Sequence, residues 1–106
     1  MSAKVIHIRV FAAPDVSCSH GMTWSAATAF VGERLQRRFG HSVEIEHIEM
    51  FSPRSFEFPD VMAAIEAGGQ LPVVMVGDRI VSQGGKLSER IIGQAVEGEL
   101  TAERKT

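Results

Sequence analysis

Residues 71–81 have the sequence LPVVMVGDRIV, and this stretch predicts a β-hairpin. The runs 72–76 and 79–82 are rich in β-branched residues and predict two strands, the first of them buried. Gly77-Asp78 stands between the two runs, and a two-residue connection of this kind is typical of a tight turn between antiparallel strands. Pro72 opens the first strand, where a trans proline at a strand start and a cis X-Pro bond are both open.

Strand and helix patterns alternate along the rest of the chain. Between residues 23 and 39 an apolar residue recurs every three or four positions, which predicts a helix with one inward face. The predicted elements outside the hairpin are, in chain order, a strand at 4–12, a loop at 13–21, a helix at 23–39 that Gly40 ends, a half-exposed strand at 42–50, a loop at 51–58 and a short helix at 59–67 that Gly68-Gly69 ends.

The last helix is predicted to begin after Ser88, a favourable N-cap residue, and to end near residue 98. Leu87 and Ile92 flank this cap with the spacing of a hydrophobic staple. The inward face of the helix is predicted to contain Ile91, Ala95 and Val96.

These elements follow one another in the order β-α-β-α-β-β-α over 106 residues, a length that suits one domain. The first β-α-β unit is expected to be parallel, and the hairpin adds two antiparallel strands. The sequence therefore predicts an α/β fold with a four-stranded mixed sheet and helices on both faces. We expect one domain over residues 1–106, with its core at about 4–98 and a polar tail at 101–106.

Composition and charge argue against several classes of function. The net charge is −2, so that neither a basic field for nucleic acid nor a polybasic segment for an anionic membrane is present. The apolar runs are shorter than the roughly 20 residues that span a bilayer, and the first residues make a poor signal-peptide core. Cys18 is the only cysteine, so no disulfide can form within the chain, and a cytoplasmic protein is expected.

Cys18 lies in the loop at residues 13–21, between the first predicted strand and the first helix. There the thiol is expected to face a helix N-terminus, whose amides lower a cysteine pKa from its usual value of about 8.5. His20 is close enough in sequence to assist if it is protonated. A loop or core cysteine of ordinary reactivity is the alternative. Three residues later the chain has Gly21, so an internal Cys-x-x-Cys disulfide is excluded.

This element order resembles the thioredoxin fold, because a cysteine follows the first strand and Pro72 opens the third. The hairpin at 71–81, followed by Gly84-Gly85, resembles the cis-proline hairpin of glutaredoxins. A closer resemblance, spanning residues 4 to about 98, is to the arsenic metallochaperones of the ArsD family. Three segments carry it: PDVSCSHG at 14–21, PDVMAAI at 59–65 and GQLP at 69–72.

This resemblance implies a cis bond before Pro72 and a site in which Leu71 and Pro72 form the wall opposite Cys18. The backbone of Leu71 is then expected to offer edge hydrogen bonds to an extended peptide or a thiol ligand. The loop residues of the implied site are Ser17, Ser19, His20 and Gly21. The ArsD motif is similar to Cys-Cys-Ser-x-Gly-x-Cys, whereas residues 17–23 here are SCSHGMT, so only one of the three thiols is kept.

The leading functional hypothesis is an ArsD-type, thioredoxin-like protein that has lost the three-thiol site and acts as a binding or accessory module with a single-thiol redox role. A glutathione-dependent monothiol oxidoreductase, similar to glutaredoxins, is the enzymatic hypothesis, and glutathione is the one small molecule implied. A metallochaperone or metal-responsive regulator is a third hypothesis, and a purely structural interaction module is a fourth. A protein partner, glutathione or a second copy of the chain are the partners to consider.

Metal binding has little support in the sequence. Arsenite and zinc require three or four soft or borderline ligands, and Cys18 with His20 supplies two. His7, His41 and His47 are scattered and are interpreted as structural or solvent-facing, so no metal site is predicted. The aromatic-rich loop at 51–58 is interpreted as packing over the sheet edge, and a partner-binding patch is its alternative.

Overall fold

The computed structural model describes residues 5–13 and 23–104. Seven regular elements follow the predicted order within these residues. They are strand β1 (Ile6–Ala12), helix α1 (Trp24–Phe39), strand β2 (Val43–Glu49), helix α2 (Pro59–Glu66), strand β3 (Val73–Val76), strand β4 (Arg79–Gln83) and helix α3 (Glu89–Arg104). Short 3₁₀ turns at Gly40–Ser42 and Ser55–Glu57 precede β2 and α2.

The four strands form one mixed sheet in the order β2-β1-β3-β4. β1 pairs with β2 in parallel, from Ile6↔Val43 to Ala12↔Glu49. On its other side β1 pairs antiparallel with β3, and β3 pairs antiparallel with β4 across the Gly77-Asp78 turn. The predicted α/β class, mixed sheet and hairpin are therefore confirmed. β1 is central, and β2 and β4 are the edge strands.

Two apolar clusters cover the two faces of the sheet. On one face, the alternate residues Ile6, Ile8 and Val10 of β1 pack with Leu35 of α1 and Ile92 of α3. The opposite face has a second cluster, in which β1, β2 and β3 residues pack under α2; its buried members are Phe11, Ile48, Met50, Val61, Val73 and Met75. Helices thus lie on both faces because β1, being central, has apolar residues pointing both ways.

The helix ends confirm the predicted stop at Gly40 and cap at Ser88, and Thr23, predicted as the first helical residue, is an N-cap. Thr23 caps α1 by accepting a hydrogen bond from the Ala26 backbone N–H, and Gly40, at φ 61°, ends the helix where other residues would be strained. Ser88 caps α3, because its Oγ accepts from the Ile91 N–H at 3.2 Å. α3, however, extends to Arg104, beyond the predicted end near residue 98.

The inward face of α3 differs by one position from the prediction. Ile92 and Val96 are buried at 1% and 0% exposure, whereas Ile91, predicted to face the core, is 39% exposed. A helix turns by about 100° per residue, so adjacent positions cannot both lie at the centre of one face. Among the described residues, no helix combines the length and apolar character needed to cross a membrane.

The connection between β2 and α2 is packed only in part. Met50 is buried, and Phe58 packs on the second cluster with its ring 5.1 Å from that of Phe11 in an edge-to-face arrangement. Phe51 and Phe56 are 63% and 59% exposed. The prediction that this loop packs over the sheet is therefore right for Phe58 and wrong for Phe51 and Phe56.

Candidate functional site

Two groups of residues make up the predicted thiol site, and only one lies within the described part of the chain. Ser17, Cys18, Ser19, His20 and Gly21 all fall outside it. Leu71 and Pro72 are described, as are Ala13 and Thr23, between which the predicted loop runs. The described part of the site is its rim, which consists of the end of β1, the start of α1 and the start of β3.

The register of β1 and β3 brings the end of β1 beside the predicted proline wall. Phe11 pairs with Val73, and extending this antiparallel register by one residue places Ala12 opposite Pro72. Pro72 is buried, its carbonyl accepts from the Gly84 N–H at 2.8 Å, and the Leu71–Pro72 bond is cis. The segment that contains Cys18 therefore follows a strand whose last residue lies beside Pro72.

Leu71 has backbone groups that the sheet does not use. The Gly77 N–H donates to the His7 carbonyl, so the odd-numbered residues of β1 direct their backbone groups towards β3. Hydrogen-bonded pairs recur at every second residue, so the pair that would follow Phe11↔Val73 is Ala13 with Leu71. No hydrogen bond forms there, and the Leu71 N–H and carbonyl have no partner among residues 5–13 and 23–104.

The start of α1 completes the rim. Its N-cap is Thr23, whose Oγ1 also lies 3.2 Å from the hydroxyl of Ser25. One turn further, the buried Thr28 donates from Oγ1 to the Trp24 carbonyl at 2.7 Å. Trp24, the first residue of the helix, is partly buried. The helical amides nearest to the predicted loop are thus those that follow Thr23.

A charged cluster lies on the sheet face that α2 covers, nearer the start of β1. Arg54 donates from Nε and Nη2 to the two oxygens of Glu46, at 3.0 and 3.1 Å, and from Nη1 to Glu57 at 2.8 Å. Arg9 lies 4.0 Å from Glu46, and the guanidinium groups of Arg9 and Arg54 lie 4.9 and 5.0 Å from the centre of the Phe58 ring. This arrangement links the 51–58 loop to β1 and β2.

The cluster changes the acid–base properties of two groups. The hydrogen bonds from Arg54 hold the pKa of the Glu46 carboxyl below its ordinary value, while partial burial opposes them. The same hydrogen bonds raise the pKa of Arg54. Both groups therefore stay charged near neutral pH, which indicates a structural ion pair rather than an acid–base catalyst.

A cleft of about 290 Å³ lies between α1 and the edge strand β2. Its floor contains the buried Gly32, at which an added Cβ would lie 3.3 Å from Ile45. His47 lines the cleft, and its Nε2 is buried without a hydrogen-bond partner among the described residues. The sequence indicates only a structural or solvent-facing role for His47, and nothing in it points to this unpaired nitrogen.

The three described histidines are far from forming a metal site. His7 lies 3.5 Å from Glu44 on an exposed part of the sheet, and His41 is exposed at the end of α1. Within residues 5–13 and 23–104, no three His, Cys, Asp or Glu side chains come close enough together to hold a metal ion.

The paired charges and the cleft were both missed by sequence reasoning, although a signal for each was present. Glu44 and Glu46 alternate along β2 as His7 and Arg9 do along β1, and the parallel register places them directly opposite each other. The small residues at positions 28 and 32 are one helical turn apart on the inward side of α1. Neither signal reveals Arg54, which reaches Glu46 from a loop.

Comparison with known proteins gives a fold but no function. No family model and no curated protein matches the chain. Among solved structures, the chain is similar to SA0789, a protein of unknown function from Staphylococcus aureus. The TM-score is 0.65 at 16% sequence identity, and the match covers 92% of this chain and 94% of that chain. At this identity the similarity concerns the fold alone.

Proposed function

We propose that this protein is a small, cytoplasmic, thioredoxin-like protein of the ArsD type that uses Cys18 as a single reactive thiol to bind a partner protein or glutathione. In this proposal Leu71 and Pro72 form the wall that faces the thiol. Ser17, Ser19, His20 and Gly21 form the loop around the sulfur. The lone cysteine suits a reducing compartment, because it has no internal partner with which to form a disulfide.

The sheet order supports the thioredoxin-like part of the proposal. β1 is central, the β1-α1-β2 unit is parallel, and the β3–β4 hairpin lies on the other side of β1. Helices α1 and α3 contribute to one core and α2 to the other. This arrangement follows the element order on which the resemblance to the thioredoxin fold rests.

The observation that carries the binding role is the unused backbone of Leu71. Its N–H and carbonyl lie at the next hydrogen-bonding position of the β1–β3 ladder and have no partner among the described residues. Such an open strand edge can pair with the backbone of an extended peptide or of glutathione. The Cys18 segment begins directly after Ala13, two residues beyond the last β1–β3 pair, Phe11↔Val73, so we expect a ligand bound at this edge to be within reach of the thiol.

The chemistry open to a single thiol is a mixed disulfide. The Cys18 thiolate attacks one sulfur of glutathione disulfide, the Cys18–glutathione S–S bond forms, and the original S–S bond breaks to release one glutathione thiolate. A second thiol, from free glutathione, reverses the step. Because Cys18 is the only cysteine, no internal thiol can resolve the adduct, so that turnover requires an external thiol.

The test is the pH dependence of Cys18 alkylation by iodoacetamide, followed by mass spectrometry of the intact protein. The proposal predicts a thiol pKa below the usual value of about 8.5 and a glutathione adduct that free glutathione removes. Cys18→Ser is the control, because it removes the only thiol. An alkylation pKa at or above about 8.5, together with no glutathione adduct, would contradict the proposal.

A parallel titration with arsenite under reducing conditions separates the proposal from the metallochaperone hypothesis. One thiol and one imidazole supply too few ligands for tight binding. We expect no binding beyond that of Cys18→Ser. Stoichiometric arsenite binding that Cys18→Ser abolishes would favour metal handling instead.

A further inference from the structure

The outer edge of β2 has unused backbone groups along its length. The Met50 N–H donates to the Ala12 carbonyl, so the even-numbered residues of this strand direct their backbone groups towards β1. Ile45 and His47 therefore direct theirs outwards, to the side of β2 on which no described strand pairs. The free edge ends at Glu49, whose carbonyl accepts from the Ser52 N–H.

The side chains of the same two residues face the cleft beneath α1. Ile45 and His47 both line it, together with Thr28 and Gly32. A strand added to the edge would direct every second side chain into this cleft, where the buried Nε2 of His47 has no partner among the described residues. A buried polar atom without a hydrogen bond is unfavourable, so a side chain with a hydroxyl group would suit this position.

The other face of the edge is acidic. Glu44 and Glu46 point to the face opposite the cleft, and β2 contains no Lys or Arg. Glu46 is neutralised by Arg54, whereas the Glu44 side chain is 66% exposed and, among the described residues, forms an ion pair only with the imidazole of His7, at 3.5 Å. An added strand would therefore meet a carboxylate on this face.

This charge pattern disfavours a second copy of β2 as the added strand. If two β2 strands pair antiparallel over their full length from Val43 to Glu49, the two copies of the central residue Glu46 lie directly opposite each other. Glu44 of each copy then lies on the diagonal next to Glu46 of the other, so four carboxylates gather on one face and the two Arg54 side chains offset only two of them. Like charges opposed across paired strands are destabilising. A lysine of an added strand that points to this face would instead be attracted by Glu44.

We infer that the outer edge of β2 binds an extended segment of a partner protein in which basic residues alternate with small hydroxyl residues. The segment adds a fifth strand beside β2, with backbone hydrogen bonds to Ile45 and His47. Its hydroxyl side chains enter the cleft beside His47, and its lysines lie near Glu44. This surface is an edge of the sheet and is distinct from the thiol site at the end of β1, so the inference is independent of the proposed function.

The probe is a fluorescein-labelled heptapeptide in which lysine and threonine alternate, measured by fluorescence anisotropy. Two peptides are its controls: one has glutamate in place of lysine, and one is N-methylated at alternate amides, which removes the donors that would face the edge. We expect the glutamate peptide not to bind and the N-methylated peptide to bind at least about threefold more weakly for each hydrogen bond lost. Amide hydrogen exchange should slow at Ile45 and His47 when the first peptide binds.

Two substitutions locate the binding site. Glu44→Lys should weaken binding several-fold, whereas Glu66→Lys, with the same charge change at the exposed end of α2, should not. His47→Pro removes an outward N–H without touching the β1 ladder and should also weaken binding. If His47→Pro fails to fold, Glu44→Lys and the N-methylated peptide still decide the question.

Three outcomes would overturn the inference. The first is no binding of the lysine–threonine peptide at millimolar concentration. The second is equal binding of the N-methylated peptide with unchanged exchange at Ile45 and His47, which would show charge attraction without strand pairing. The third is a dimer in sedimentation equilibrium that His47→Pro dissociates, because the edge would then be occupied by a second copy of the chain.

Discussion

Arg54 holds Glu46 through two hydrogen bonds, with Nε 3.0 Å from Oε2 and Nη2 3.1 Å from Oε1. The same guanidinium lies 5.0 Å from the centre of the Phe58 ring, and Phe58 packs on Phe11 in the core. A residue of the β2–α2 loop thus joins an edge strand to a core aromatic residue. This pair fixes the loop against the sheet, and its charge state sets how the loop responds to pH.

Acidification should weaken this attachment. The pKa of Glu46 is lower in the folded protein than in the unfolded chain, so the ion pair stabilises the fold above the ordinary glutamate pKa, and the effect disappears as the pH falls through the folded-state pKa. Glu46→Gln should therefore lower the free energy of unfolding at pH 7 and have a diminishing effect below pH 4.5. Urea denaturation at pH 7, 5 and 3 measures this. Glu66→Gln is the control, because the carboxylate of Glu66 has no ion pair with another described residue. A loss of unfolding free energy in Glu46→Gln that is the same at all three pH values would contradict the prediction.

Adjacent isoleucines in α3 should respond very differently to truncation. Ile92 is buried at 1% exposure between the sheet and α1, so Ile92→Ala leaves a cavity and should cost about 2–5 kcal/mol of unfolding free energy. Ile91 is 39% exposed, so Ile91→Ala should cost about 0.5 kcal/mol. Chemical denaturation of both variants checks the orientation of the helix. Equal losses would show that α3 is rotated about its axis and does not direct Ile92 alone into the core.

Replacing Gly98 by alanine should stabilise the protein. Gly98 lies in the interior of α3, and nothing lies within 4 Å of an added Cβ, so Gly98→Ala should raise the unfolding free energy by about 0.5–1 kcal/mol. Gly93 is the matched comparison in the same helix. There a Cβ would lie 2.7 Å from Nη1 of Arg38, a residue that pairs with Glu97, so Gly93→Ala should gain less. Thermal unfolding of the two variants gives the order, and an equal gain at both positions would contradict the close approach of α1 and α3.

Loss of the Ser88 cap should lower the stability of the protein, and another capping side chain at this position should restore it. Ser88→Ala removes the hydroxyl that accepts from the Ile91 N–H and should cost about 1 kcal/mol. Ser88→Asp retains an acceptor and should restore most of the loss. Helical content by circular dichroism and urea denaturation report both variants. If Ser88→Asp were as unstable as Ser88→Ala, the cap would not be the cause.

Local sequence patterns were sufficient to predict the helices and strands and their order along the chain. The helical repeat up to Phe39, the stop at Gly40, the Ser88 cap and the turn at Gly77-Asp78 all depend on neighbours within a few residues in sequence. Such interactions are encoded where they act, so each was predicted at or near its observed position.

Contacts between distant segments were not predictable in the same way. The exposure of Ile91 depends on which rotation of α3 fits Leu35 and the sheet. Phe51 and Phe56 were expected to be covered, but the loop turns so that Phe58 occupies the available space beneath α2. Nothing local distinguishes these three aromatic residues.

The amino-acid sequence by itself determined the strands, the helices, their order and the presence of a single thiol, because periodicity, caps and turns are local properties. Only the tertiary structure decided that Arg54 pairs with Glu46. It also decided that, within the part of the chain that is described, the Leu71 backbone has no partner beside the end of β1 and His47 has an unpaired nitrogen in a cleft. Each of these depends on strand register and on the rotation of a packed element. Those quantities are set by the sum of many weak contacts across the whole core, and no short stretch of sequence contains them.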